Sequence, residues 1–225
     1  MADLIAVGRL QSVSSPLFLA VDAHVGAAWT GDNDAFDDVN SDAYRAGEAV
    51  LESDSIVIRA NRDFQPIFAS VGIGVSTGLV MRVGSSGVLE VYRQARRFFL
   101  IEGSYQHVRT VKRETASGMQ INVPTMPAYT DYVASPPGPH TIAIGSILVD
   151  SGWLLLLPTV ASGADAGEVA SATKSPAVSY QNERMRDRDL IGLMIRVPPG
   201  SYKISIEPEV DLDFGVAARA IIDPV

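Results

Sequence analysis

Gly74-Val75-Ser76-Thr77-Gly78 has the Gly-x-Ser-x-Gly spacing of a nucleophile elbow, in which a serine on a strained turn between a strand and a helix presents its hydroxyl for acyl transfer. The residues that follow do not supply the helix. Leu79–Val83 alternates like a strand and Gly84-Ser85-Ser86-Gly87 turns, so the stretch reads as a glycine-rich β-turn. His24, His107 and His140 are the three histidines, and no two stand at a spacing that would seat both imidazoles on one metal. The stretch Gly31–Asp42 carries Asp32, Asp34, Asp37 and Asp38, enough carboxylates to attract calcium, which takes about six to eight oxygens. It lacks the spacing and terminal glutamate of an EF-hand and reads as a solvated acidic loop. Nothing selects a pair of carboxylates for acid/base work. The expectation is therefore no catalytic residue, no metal and no cofactor, in a chain that is not an enzyme.

One cluster carries the chemistry of recognition. Arg93, Arg96, Arg97 and Arg109 lie among Tyr92, Phe98, Phe99 and Tyr105. Interleaved arginines and aromatics can bind single-stranded nucleic acid by stacking and phosphate contact. The same residue types are enriched at protein interfaces, and alternate residues of these segments (Phe98, Leu100, Val108, Val111) must also feed a core. Charge favours the interface. The chain has a formal net charge of −8, against general nucleic-acid binding, and its charges are segregated. Residues 1–54 hold ten acidic side chains against Arg9 and Arg45, while residues 82–113 hold seven basic ones against Glu90 and Glu102. The expected interface sets Tyr92, Arg93, Arg96, Arg97, Tyr105 and Arg109 of one copy against Asp32, Asp34, Asp37 and Asp38 of the next.

The elements that position these residues read as strands. From Ile191 to Ile222 apolar residues alternate three times over: Ile191 to Val197, Tyr202 to Ile206, and Val210 to Ile222. Pro199-Gly200 suits a turn that folds the first two of these strands onto each other. Upstream, Leu17–Trp29, Ser55–Ala60, Ile67–Val75, Leu79–Val83, Val88–Arg93, Phe98–Glu102, Tyr105–Lys112 and Met119–Val123 are separated by turn signals, with no helix of βαβ length between them. A short helix over Asp42–Leu51, capped by Ser41, is the exception. Thr141–Val149 and Trp153–Val160, joined by Asp150-Ser151-Gly152, look like a hairpin. Their apolar density suggests strands buried on both faces or beneath a subunit contact. Residues 1–13 suggest an N-terminal arm. Ala161–Glu183, small and polar without a period, reads as an exposed loop open to trypsin at Lys174.

At 225 residues and 47% hydrophobic, without cysteine, the chain suits a single all-β domain stabilised by packing alone. Met1 to Arg9 has an acidic residue and too short an apolar run for a cleaved signal peptide, and no run approaches the ~20 residues of a spanning helix. A soluble protein is expected.

An all-β, cysteine-free chain of this size, with an N-terminal arm, a proline-rich connection (Pro124, Pro127, Pro136, Pro137, Pro139), a long Ala/Ser/Gly loop and a C-terminal strand triplet, resembles the jelly-roll coat and cement proteins of bacterial and archaeal viruses. The resemblance lies in architecture and composition and carries over no functional residue. It implies an antiparallel β-sandwich of jelly-roll type, located in the virion, that self-associates or cements another coat protein without catalysis or cofactor. The alternative is a carbohydrate- or receptor-binding β-sandwich of a tail or fibre, with Trp29, Trp153, Tyr129 and Tyr132 as candidate platforms.

Overall fold

The computed structural model of the chain describes residues 3–11, 17–31, 48–52, 57–61, 68–73, 76–82, 88–104, 109–114, 120–125, 132, 135–181, 183–186, 191–212 and 215–225. Strand β1 (Leu4–Gln11) leads to β2 (Leu17–Asp22), helix α1 (Ala23–Ala27), β3 (Glu48–Glu52), β4 (Val57–Asn61), β5 (Phe68–Ile73) and β6 (Ser76–Arg82). Then come β7 (Val88–Gln94), β8 (Arg97–Ser104), β9 (Arg109–Glu114) and β10 (Gln120–Thr125). The second half contributes β11 (Ile142–Val149), β12 (Trp153–Pro158), α2 (Ala166–Ala172), β13 (Ala177–Tyr180), α3 (Glu183–Arg186), β14 (Gly192–Arg196), β15 (Gly200–Leu212) and β16 (Gly215–Pro224).

Two six-stranded sheets form an antiparallel sandwich, as expected. The first runs β1-β7-β8-β16-β15-β11 and the second β13-β14-β12-β2-β6-β5; among the described residues β3 pairs with β4, and β9 with β10, as two-stranded ribbons. The period of two decides which side chains enter the core. Leu89, Val91, Phe98, Leu100, Ala220, Ile222, Ile204 and Ile206 of the first sheet meet Phe18, Ala20, Leu79, Met81, Leu154, Leu156, Leu193 and Ile195 of the second, all buried. Each large side chain there contributes about 1.5–3 kcal/mol.

The outer face of the second sheet is buried too where β2, β12 and β14 form it. Leu17, Leu19, Val21, Val80, Leu155, Leu157, Met194 and Tyr180 of the sheet cluster with Trp29, Ala161, Ala166 and Met185 from outside it. The reading of Ala161–Glu183 as an exposed loop is corrected in part: the segment holds α2, in the cover, and β13, at the edge of the second sheet, with Ala161, Ser162 and Gly163 buried and Glu168, Ser171 and Ala172 exposed. Its small residues serve close approach. A Cβ on Gly163 would lie 2.2 Å from the Gly26 carbonyl oxygen, and the Gly163 N–H donates to the Trp29 carbonyl at 2.8 Å. The Tyr180 hydroxyl ties the cover together through the Ser162 carbonyl (3.0 Å) and the Asp165 carboxylate. Lys174 remains exposed between α2 and β13.

Other expectations are corrected as well. Residues 4–11 are not an arm but an edge strand, paired from Leu4 opposite Gln94 to Gln11 opposite Val88. The strand expected over Leu17–Trp29 stops at Asp22, whose carboxylate accepts the His24 N–H at 2.8 Å and caps α1, so His24 lies on a helix. Glu48–Leu51 belong to β3, not to a helix, and Asp42–Gly47 lie outside the described residues.

Two expected hairpins are arches between the sheets. β11 pairs with β15 in the first sheet, whereas β12 pairs with β2 and β14 in the second. Ser151 makes the crossing: its N–H and hydroxyl donate to Asp22 at 2.8 and 2.7 Å, at the end of the strand beside β12. Pro198-Pro199 likewise carries β14 of the second sheet into β15 of the first, and the two arches join where the Val197 N–H donates to the Gly152 carbonyl at 3.0 Å. An apolar run, a polar turn and a second apolar run describe a hairpin and an arch equally; the hydrogen bonds at the turn decide.

Candidate interface on the first sheet

The strand register lines up Arg9, Glu90, Ile101, Arg219 and Glu207 in one row across β1, β7, β8, β16 and β15. By alternation this row faces away from the core. The neighbouring row holds Tyr92, Phe99 and Ile221, a small buried cluster with Leu4 and Tyr132 packed against it. Both ends of the first row are ion pairs. Arg9 Nη2 donates to Glu90 Oε1 at 2.8 Å, and the Tyr92 hydroxyl donates to Glu90 Oε2 at 2.7 Å. Arg219, 1% exposed, donates through Nε and Nη2 to the two Glu207 oxygens at 2.7 Å each, the planar fork matching the carboxylate.

This second pair holds part of the proline-rich connection against the sheet. Arg219 Nη1 donates to the carbonyls of Tyr132 (2.9 Å) and Ser135 (3.2 Å), and Glu207 accepts from the Gly138 N–H at 2.6 Å. The guanidinium also lies over the Tyr132 ring, 4.8 Å from its centroid. A neutral pair with its donors and acceptors engaged in this way is a clamp. Burial would raise the Glu207 carboxyl, but the hydrogen bonds from Arg219 and Gly138 and the charge of Arg219 outweigh it and hold the group below its ordinary range. Burial first, and the Glu207 charge second, push the Tyr132 hydroxyl up to about 12.

A pH dependence of both signs follows. Glu207, depressed in the folded state, contributes stability above the unfolded carboxylate pKa that is lost as pH falls through the folded value. Tyr132, raised, contributes stability that is intact below its unfolded pKa of about 10 and is lost as pH climbs towards 12. Thermal unfolding followed between pH 9 and pH 12 should show a loss of stability beyond about pH 10 that Tyr132→Phe reduces; an identical slope in that variant contradicts the assignment.

The expected interface residues divide. Tyr92 is buried, and Arg97 is ion-paired with Asp223. Arg93 is half-buried. Arg96 is exposed beside Ala95, whose φ of 55° makes the tight β7-β8 turn. Arg96 also lies near enough to Tyr202 for its charge to oppose the burial that raises that phenol. Arg109 opens β9 opposite Thr125. Tyr105, Asp32, Asp34, Asp37 and Asp38 lie outside the described residues. The two segregated segments do meet within one subunit, through the backbone pairing of β1 with β7.

Residues singled out for chemistry have structural places. Ser76 opens strand β6, where an elbow would need a helix. Ser151, Asp22 and His24 converge, but the Ser151 hydroxyl donates directly to Asp22 and His24 contributes its backbone N–H, so no imidazole stands between acid and hydroxyl. Trp29 and Trp153 are buried and offer no platform for a sugar. Tyr129 lies outside the described residues.

The open edge of this sheet is chemically different from its face. Among the described residues β11 pairs only with β15; it contains no charged residue and no proline over eight residues, and its Ser146 carbonyl accepts the Thr77 hydroxyl of β6. Ile142 is 58% exposed and Leu148 47%. Leu148 stands opposite Ser201, whose carbonyl accepts the N–H of Val225, itself exposed. No protein-family model, curated protein or solved structure matches this chain. Among the described residues no helix is long and apolar enough to cross a membrane.

Proposed function

We propose that this chain is a structural assembly protein, a virion coat or cement subunit that associates with copies of itself. The β11 edge carries the proposal. Folded proteins protect an open edge strand with charge, proline or brevity, because its free N–H and C=O groups template pairing with another chain. β11 has neither charge nor proline nor brevity; its one irregularity is the register shift between Ala143 and Gly145, and the regular stretch from Ser146 to Val149 that follows leaves Leu148 half exposed, as Ile142 is before it. The dense apolar run of Thr141–Val149 thus exceeds what the core needs, since only Ile147 and Val149 of the strand are buried.

On this reading β11 is covered by a neighbouring subunit, and the clamp of Arg219 and Glu207 keeps the proline-rich connection in place beside it. Leu148→Lys puts a charge on the edge at a site that tolerates it in the free subunit. Sedimentation should show oligomers weakened by roughly ten- to a hundredfold, with the circular dichroism of the fold unchanged, since an uncompensated charge in an interface costs a few kcal/mol. Undiminished assembly of the variant would contradict the role of β11. A monomeric wild type that binds glycan would support the receptor-binding alternative.

A further inference from the structure

The hydrogen bonds beside β11 show which way its backbone groups point. In an antiparallel ladder the N–H and C=O of one residue face the same neighbour, and alternate residues face opposite sides. The Ser201 carbonyl accepts the Val225 N–H at 3.0 Å, so Ser201 turns its groups toward β16 and away from β11. Leu148, opposite Ser201, therefore directs its own N–H and C=O to the open side. Ser146 does the same, since the register is unbroken over residues 145–149. Its carbonyl accepts the Thr77 hydroxyl from the other sheet and keeps a second lone pair. Ser146 and Leu148 are both exposed, and no strand among the described residues pairs on that side.

We propose that the occupant of this edge is β11 of a second copy, running antiparallel about a two-fold axis at Ile147. The inference rests on the assembly reading and names the partner strand for it. An axis at Ile147 sets Ser146 opposite Leu148 of the second copy and Leu148 opposite its Ser146, each pair exchanging two backbone hydrogen bonds. The two half-exposed leucines become diagonal neighbours on the outer face of the joined sheet. The irregularity between Ala143 and Gly145 stays outside the paired residues. Charge permits the self-pairing, because β11 carries none and no like charges face each other. Other edges suit it less: β1 carries Arg9 and a register shift between Ala6 and Gly8, and β13 has only four residues. The contact is isologous, so it closes a dimer in which two six-stranded sheets run on as one.

The chain contains no cysteine, so introduced thiols read the register directly in the full-length protein. Ser146→Cys and Leu148→Cys both change exposed positions. Mixed in equal amounts under mild oxidation, the two variants should give disulfide-linked dimers holding one of each, because directly opposed Cα atoms stand about 5.5 Å apart, within the reach of a disulfide. Either variant alone should cross-link roughly tenfold more slowly, since its two thiols lie on the diagonal at about 7–8 Å. Leu148→Pro removes an N–H that β15 does not use, so the circular dichroism of the fold should persist while the dimer weakens by roughly ten- to a hundredfold. Unfolding of that variant would overturn the outward orientation of the Leu148 N–H. Wild-type oligomers with no preference for the mixed cross-link overturn the two-fold pairing and leave the assembly reading standing. A wild type that is monomeric at the same concentrations overturns both.

Discussion

Arg219→Ala is expected to destabilise the fold by roughly 3–5 kcal/mol, because it leaves the Glu207 carboxylate buried without its partner. Glu207 is 6% exposed and its ordinary hydration is not recoverable without opening the cover over the sheet. For a chain of this size the loss corresponds to a fall in melting temperature of about 10 °C, readable by calorimetry. Glu207→Ala should cost as much from the other side. The double variant Arg219→Met, Glu207→Leu should recover most of the loss, since a buried ion pair is frequently no better than an apolar pair of similar volume. Arg9→Ala provides the contrast: the Arg9 side chain is 48% exposed, and its pair with Glu90 should contribute no more than about 1 kcal/mol. Equal small effects for Arg9 and Arg219 would show that the clamp is not what holds Tyr132, Ser135 and Gly138 on the sheet.

Ending the chain before Val210 should abolish folding. The cut removes part of β15 and all of β16, which lies in the middle of the first sheet between β8 and β15. It takes Ala218, Ala220, Ile221 and Ile222 from buried positions and leaves β8 without the strand that pairs with it from Phe98 to Ser104. Large apolar side chains at about 1.5–3 kcal/mol each, added to a broken hydrogen-bond ladder, approach the ~5–15 kcal/mol that holds a whole domain together. Expression of the truncated chain should give aggregate or a form lacking cooperative unfolding. A soluble product with the melting temperature of the full chain would refute the central placement of β16.

Periodicity made the strands legible, and local hydrogen bonding decided what periodicity could not. The alternation over Tyr202–Ile206 and Ala218–Ile222 located β15 and β16 because their inner faces are apolar and regular, but the single strand expected over Val210–Ile222 is divided: Val210–Leu212 finish β15 and pair back on β16, which begins at Gly215. It could not say that Arg219 on the opposite face is buried, because a charged residue at an alternate position looks the same beneath a cover as in water. The available signal was the hairpin itself: Glu207 and Arg219 stand directly opposite across it, an acid facing a base. Asp22 likewise resembled any strand residue until its carboxylate was seen to cap α1 and anchor Ser151, which turns a presumed hairpin into an arch. Residues 161–183 misled for a physical reason. Alanine, glycine and serine are the composition of a mobile loop and also of a segment that must approach another backbone closely, and Gly163 against Gly26 is the second case. The interface residues were legible as a charge pattern only, and Tyr92 and Arg97 proved to be engaged within the sheet.

Native mass measurement of the purified chain at low salt, with negative-stain imaging of the same sample, tests the assembly reading most directly. Discrete oligomers or regular particles are predicted, weakened by Leu148→Lys at the β11 edge without change in circular dichroism. Monomers alone, at high concentration and in the presence of candidate coat proteins from the same source, would contradict it.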